Sequence, residues 1–329
     1  MASLKAPSAL PKLVKTAFER ALAEGELLYY PTQVAIIHAH NIPFQLRFSP
    51  ALANKPKGPP KGPTPIKPFD PFADPPAALR VTHLSPSHYL VLNKFAVVPE
   101  HFILATTEFK PQTHVLDEAD LTATLACIEA YELATENAGQ ENGDETSNDG
   151  LFAFFNCGDH SGASQPHRHI QMLPIARMKD GLPADVEWTI LADSLTSRPA
   201  PFATFAEKIR LDMPRAELHA AYLRLYRQAC RAVALHSGES HEEDEIPSEG
   251  ETLISYNMAM TKNTLVICPR LAEGATIHKD GQVIGALSLN GTVLAGTALV
   301  KNEAEWEALK KDTNALSQVL TRIGLSSLV

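Results

Sequence analysis

The sequence predicts an α+β fold in which a central antiparallel sheet is flanked by helices and elaborated by a C-terminal region. Short apolar and β-branched runs occur in neighbouring pairs separated by turn residues, as in "LFAFFNC" with "PHRHIQMLPI" and in "TLISYNMAMTKNTLVICPR", the pattern of antiparallel strands. Between the pairs lie stretches of helical periodicity, of which Leu116 to Thr135 is uninterrupted by Gly or Pro. With 329 residues and 44% hydrophobic content, the chain can bury one large core or two modest ones.

Taken in order, Leu10, Leu13, Val14, Ala17, Phe18, Ala21 and Leu22 recur at helical spacing among charged residues and predict an amphipathic first helix. "TQVAIIHAHNIPFQLRFSP" predicts a strand pair near a sheet edge. In "NKPKGPPKGPTPIKPFDPFADPP", Pro and Gly exclude helix and central strand while Lys55, Lys57, Lys61 and Lys67 recur, so a stiff basic loop is expected. "HYLVLNKFAVVPEHFILAT" reads as a hairpin whose connection carries Asn93, Lys94 and Pro99. The helix after it places Leu121, Leu125, Ile128 and Leu133 near one side and gives way to a polar loop, "ENAGQENGDETSNDG". The "LFAFFNC" and "PHRHIQMLPI" strands should form a hairpin in the middle of the sheet. A connector past Met178, a helix from Arg215 to Leu235, a solvated acidic run "SGESHEEDEIPSEGE", the "SYNMAM" strand pair and helices from Glu303 complete the chain. These changes of texture divide it into residues 1–186 and 187–329.

The balance of 29 Lys+Arg against 38 Asp+Glu gives a net charge of −9, which argues against general attraction to nucleic acid or acidic membranes. Four scattered cysteines without a C-x-x-C pair indicate neither a zinc ribbon nor a disulfide framework. No apolar signal core or membrane-spanning run is present. A soluble intracellular protein, cytoplasmic with the nucleus also open, is expected, and its assembly is not specified.

The chemistry concentrates in "NCGDHSGASQPHRHIQMLP", Asn156 to Pro174. On a strand, His167, His169 and Gln171 share one face while Arg168, Ile170 and Met172 point the other way. Burying such polar groups without partners costs about 1–3 kcal/mol each. Zinc would need three or four ligands around a tetrahedron. His160, His167, His169 and Cys157 can be imagined in that role, but Gln is a poor ligand and alternate strand positions do not close a tetrahedron. The adjoining "SGASQ" turn favours another reading, since its backbone N–H groups can form a nest for phosphate. An imidazole facing bound phosphate, with its other nitrogen held by an acceptor, can attack phosphorus covalently. The implied chemistry is nucleotidyl or phosphoryl transfer through a histidine adduct.

"NCGDHSGASQPHRHIQ" resembles the active-site signature of fungal-type diadenosine tetraphosphate (Ap4A) phosphorylases, the ATP adenylyltransferases of the histidine-triad superfamily, which carry His-x-His-x-Gln in place of the triad. "LVLNKFAVVPEHFILAT" with "EFKPQ", "SYNMAMTKN" and "GTALVKN" are similar to further segments of that family, so the resemblance covers most of the chain. It implies a HIT-like fold and phosphorolysis of Ap4A to ADP and ATP through an AMP–histidine adduct. Reverse adenylyl transfer and exchange with sulfate-type acceptors follow from the same adduct.

The resemblance places the nucleophile at His169, the α-phosphoryl hydrogen bonds at Gln171, and an orienting or leaving-side role at His167. Asn156, Gly162, Ala163, Ser164 and Gln165 match phosphate-contacting positions. Lys55 matches the phosphate-binding lysine of the Pro-rich loop, with Lys57 the alternative. Asn93 and Lys94 match a nucleotide contact. Ser288, Leu289, Asn290, Thr297 and Lys301 match positions that close over the substrate, although Thr297 stands where the family usually has Met. His160 and Cys157 are read as structural. A divalent cation, Mg²⁺ by preference, is expected to travel with the polyphosphate; no dedicated protein metal site and no organic cofactor are expected. Another nucleotidyltransferase of the superfamily, a dinucleoside polyphosphate hydrolase and a non-catalytic nucleotide-binding protein are the alternatives.

Overall fold

The computed structural model describes residues 4–51, 69–141, 150–279 and 281–327. Helix α1 (Leu10–Ala23) carries a Pro in its first turn, where no intrahelical N–H is needed. It buries Leu10, Val14, Ala17, Phe18 and Ala21. Leu13 and Leu22 lie off that stripe, 39% and 42% exposed. Strand β1 (Leu28–Tyr29) follows, then β2 (Gln33–Ala39) and β3 (Ile42–Phe48), an antiparallel hairpin turned at His40 and Asn41, both at positive φ.

After the Pro-rich segment come β4 (Arg80–Ser85), β5 (His88–Leu92), β6 (Phe95–Ala96) and β7 (Phe102–Thr106). Helix α2 runs Glu118–Glu141, further than the predicted end at Thr135. It opens with Glu118 and Asp120 in the first turn, where carboxylates suit the helix dipole. Leu121, Leu125 and Ile128 are buried, whereas Leu133 is 53% exposed and does not share their face. Strands β8 (Leu151–Cys157) and β9 (His169–Pro174) carry the signature, and α3 (Ile175–Met178) ends this half. The predicted division at residue 186 falls in a stretch without helix or strand. Beyond it lie β10 (Phe205–Lys208), α4 (Arg215–His236), β11 (Tyr256–Met260), β12 (Thr264–Pro269), β13 (Gly274–Lys279), β14 (Gln282–Ser288), β15 (Thr297–Val300), α5 (Glu303–Lys311) and α6 (Thr313–Leu320).

Eight strands form one antiparallel sheet in the order β10-β12-β11-β8-β9-β7-β5-β4. The β8–β9 hairpin is central, and the two sequence halves share this sheet through the β11–β8 pair. The β2–β3 hairpin is not at its edge. It forms a separate sheet of order β15-β3-β2, in which β15 joins β3 in parallel. That parallel partner lies some 250 residues away in sequence, beyond the reach of hairpin signals.

Alternation along the central strands builds two cores. Ala153, Phe155, Ile170 and Met172 face α1, α2 and α4, while Phe152, Phe154 and Leu173 face the β15-β3-β2 sheet and the C-terminal helices. Each fully buried Phe or Leu contributes roughly 1.5–3 kcal/mol, so a strand with every residue buried, as β8 is, is fixed in register from both sides. No described helix is long and apolar enough to cross a membrane.

Candidate active site

A cleft of about 560 Å³ opens between the second face of the large sheet and strands β3 and β15. Of the predicted residues, Asn93, Gly162, Ala163, Ser164 and Gln171 line it from one half of the chain, and Ser288, Leu289, Asn290, Thr297 and Lys301 from the other. Lys94 is exposed on the turn after β5, and Gln165 is half-buried; neither belongs to the lining. Lys55 and Lys57 lie outside the described residues.

His169 stands on β9 two residues before Gln171, is 3% exposed and, like Asn156, is buried beside the cleft rather than among its lining residues. Its Nδ1 lies 2.8 Å from the carbonyl of His167. A carbonyl only accepts, so Nδ1 carries the proton and Nε2 carries the lone pair. No hydrogen bond engages Nε2 among the described residues. The Phe72 ring stacks on the imidazole with centroids 4.9 Å apart. Burial lowers the His169 pKa to about 4, against the hydrogen bond to His167, which favours the charged form. The ring is therefore neutral at neutral pH, with an unprotonated Nε2.

His167 precedes the strand and bridges to Pro111. Its Nδ1 meets Asp70 Oδ2 at 2.8 Å, and its Nε2 meets the Thr106 carbonyl at 2.8 Å and Thr106 Oγ1 at 3.0 Å. Both ring nitrogens are thus engaged, and the side chain does not line the cleft. Between the histidines, Arg168 points to the opposite face, where Nη1 bonds Asp120 Oδ2 at 2.7 Å and Nη2 the Val115 carbonyl at 3.1 Å. Asp120 Oδ1 also meets His88 Nε2 at 2.9 Å. Burial alone would raise the Asp120 carboxyl; His88 and Arg168 outweigh it and hold the group below its ordinary value.

The Gly/Ser turn is closely packed at its glycine. Gly162 has φ +79°, and a Cβ there would stand 2.8 Å from Asn290 Cβ and 3.0 Å from the Leu289 carbonyl. The close approach that requires glycine is to the C-terminal half of the chain. Among the described residues, the N–H groups of Gly162, Ser164 and Gln165 have no protein acceptor, whereas Ala163 N–H donates to Ser161 Oγ. Asn156 is buried, and its Oδ1 accepts from Gly291 N–H at 2.8 Å and from Asn257 Nδ2 at 2.9 Å. Its carbonyl side thus ties β8 to the Asn290–Gly291 turn. Arg270 completes this network by donating to Asn257 Oδ1 and, at 2.9 Å, to the Leu289 carbonyl.

Residues 1–191 match the Ap4A phosphorylase N-terminal domain, and residues 198–326 the ATP adenylyltransferase C-terminal domain. The chain belongs to the Ap4A phosphorylase family. Diadenosine 5',5'''-P1,P4-tetraphosphate phosphorylase 2 of Saccharomyces cerevisiae is 30% identical, with 85% of this chain and 83% of that protein aligned. Protein APA1 of the same organism is 26% identical over 97% and 95%. The crystal structure of yeast Ap4A phosphorylase Apa2 in complex with Ap4A has the same fold, with TM-score 0.70, 24% identity, and coverage of 97% of this chain and 98% of that one.

In this Ap4A phosphorylase family member, four residues in or behind the cleft escaped the sequence reading. His101 lines the cleft, with Nδ1 3.1 Å from Asn93 Nδ2. Its buried Nε2 has no hydrogen bond of full geometry, although the Gln171 amide is close enough to favour the charged form. Burial and the neighbouring His169 hold its pKa down at about 4. Arg47, on β3, donates to the Met178 and Asp180 carbonyls and to Thr32 Oγ1, and burial lowers its pKa to about 10. It remains a cation at the cleft wall, and Lys301 belongs to the same lining. Asp70 and Phe72 were quoted only as part of a Pro-rich loop, yet they hold the two histidines. A lone Arg in a strand or a Phe in a loop carries no local signal of such a role.

Proposed function

We propose that the protein catalyses phosphorolysis of Ap4A to ADP and ATP, with His169 as the nucleophile. The observation that carries this reading is the fixed tautomer of His169, a neutral imidazole whose Nδ1–H is tied to the His167 carbonyl and whose Nε2 lone pair is left for attack. Attack of Nε2 on the α-phosphorus breaks the bond to the bridging oxygen, and ATP leaves with the bonding electron pair. AMP remains on the ring as a phosphoramidate. The positive charge that develops on the imidazole is spread towards Nδ1–H and its carbonyl acceptor. Inorganic phosphate then attacks the same phosphorus, giving ADP and the free ring.

Gln171 and the turn N–H groups of Gly162, Ser164 and Gln165 are placed in or beside the cleft where donors would steady the phosphoryl oxygens. Arg47 and Lys301 offer positive charge to the rest of the polyphosphate. A Mg²⁺ ion is proposed only as a counter-ion carried on the substrate. The described cleft lining offers it one carboxylate, Glu273, and no cluster of three metal-binding side chains stands among the described residues. The reverse adenylyl transfer, exchange with sulfate-type acceptors and a cytoplasmic location belong to the same reading.

Incubation with Ap4A and labelled phosphate tests the acceptor. Label in ADP is the expected result; AMP formed alongside ATP, with no label in ADP, would mean that water accepts the adenylyl group.

A further inference from the structure

We infer that Gln112 is a positioning residue for the nucleophile, a carboxamide wedge that replaces the β8–β9 ladder at the point where the reaction takes place. This inference rests on the role of His169 proposed above.

Strands β8 and β9 pair from Leu151↔Pro174 to Phe154↔Gln171 and then part. The next ladder steps would join Asn156 to His169. Instead β8 continues along β11, with Asn156 opposite Asn257, and β9 stays with β7, with His169 opposite Ala105. Into the resulting split reaches the side chain of Gln112, 2% exposed. Its Oε1 accepts from His169 N–H at 2.8 Å, and its Nε2 donates to the Asn156 carbonyl at 2.8 Å and the His169 carbonyl at 3.2 Å. A primary amide has the donor and acceptor of a peptide unit, so the wedge satisfies the groups that the missing ladder would leave bare.

The backbone behind the wedge is itself fixed. Gln112 N–H donates to the Pro166 carbonyl at 2.8 Å, and Arg168 N–H to the Lys110 carbonyl at 2.7 Å. The amide is therefore anchored at its root and engaged at its tip. It holds the His169 backbone in place and sets the separation between His169 and Asn156. Asn156 in turn fixes Gly291 and, through it, the C-terminal wall of the cleft. No other side chain among the described hydrogen bonds joins the nucleophile's backbone to the residue that carries that wall.

The test uses full-length protein and the variants Gln112→Ala and Gln112→Glu, with kcat and KM for Ap4A measured from pH 5 to 8 and folding followed by thermal melting. Loss of the wedge should lower kcat at least about 30-fold in Gln112→Ala and change KM less than about threefold, because the cleft lining is untouched while the in-line aim is relaxed. Glu retains the shape, but as a carboxylate it sets negative charge against two carbonyls; protonated, it again accepts from His169 N–H and donates once. The activity of Gln112→Glu relative to wild type should therefore climb as pH falls, at least about fivefold across that range. That ratio is read even if Gln112→Ala does not fold. A kcat within threefold of wild type in Gln112→Ala, an effect confined to KM, or a Gln112→Glu ratio flat with pH would overturn the inference. Wild-type protein unable to turn over Ap4A would instead remove the proposed function, so the two failures are told apart.

Discussion

The Nδ1–H of His169 is held by the carbonyl of His167, two residues earlier and just ahead of the strand, at 2.8 Å. The first histidine of the motif thus acts on the second through its backbone, while its ring is occupied by Asp70 and Thr106. This relationship fixes the tautomer that phosphorus attack requires, and the packing of Phe72 fixes the ring's plane.

Activity should therefore persist into acid. With His169 held at about 4 rather than near 6.5, kcat/KM for Ap4A is expected to stay level from neutral pH down to about 5 and to fall only below that. A pH–rate profile with its acid limb centred near 6.5 would contradict this.

Two buried imidazoles, His101 and His169, make stability pH-dependent. His101 and His169 both lie at about 4 in the folded chain, so the unfolded chain takes up the protons first. Their contribution is intact above the ordinary histidine value and declines as pH drops from about 6.5 towards 4, by on the order of 3 kcal/mol each. Denaturant midpoints across that window should fall with acidification, and less steeply in His101→Asn.

Removing the stacked ring by Phe72→Ala leaves a cavity over His169. A stability loss of about 3 kcal/mol is expected, with lower kcat. Admission of water to the imidazole should also move the acid limb of kcat/KM upward, a shift that loss of packing elsewhere would not produce.

Gly162→Ala adds a methyl at positive φ against Asn290 Cβ, 2.8 Å away. The expected cost is about 1–3 kcal/mol. Because the clash lies between the turn and the C-terminal wall of the cleft, KM for Ap4A should rise, as measured by steady-state kinetics.

Asp120→Asn removes the closer, fully buried carboxylate partner of Arg168, behind His169, and leaves only the half-exposed Asp117 at 3.4 Å. Breaking a buried pair from one side costs about 3–5 kcal/mol. Since the folded carboxyl is held below its ordinary value, the wild-type advantage should be full at neutral pH and shrink as acid protonates Asp120. Urea titrations of both proteins at two pH values measure this.

Much of the fold was legible because local pattern and tertiary role agree. The apolar run of β8, the alternation of β9 and the spacing of α1 each encode what the residue will face. The β13–β14 hairpin and the pairing of β15 with β3 were not read, since the first carries exposed residues such as Val283 and the second depends on chain closure across the whole molecule. The site shows the same division. His169 and Gln171 are adjacent in sequence and mark themselves, and most residues taken from the resemblance do meet at one cleft. Gln112, Phe72, His101 and Arg47 reach the site from other elements, and Gln112 lies 44 residues from Asn156 and 57 from His169. Only the assembled sheet brings such pairs together.

The central claim is the covalent histidine. Rapid quenching of the protein with α-phosphorus-labelled Ap4A in the absence of phosphate, followed by proteolysis, should recover acid-labile, base-stable AMP on His169, chased into ADP when phosphate is added. Label on another residue, or undiminished turnover by His169→Ala, would contradict the account.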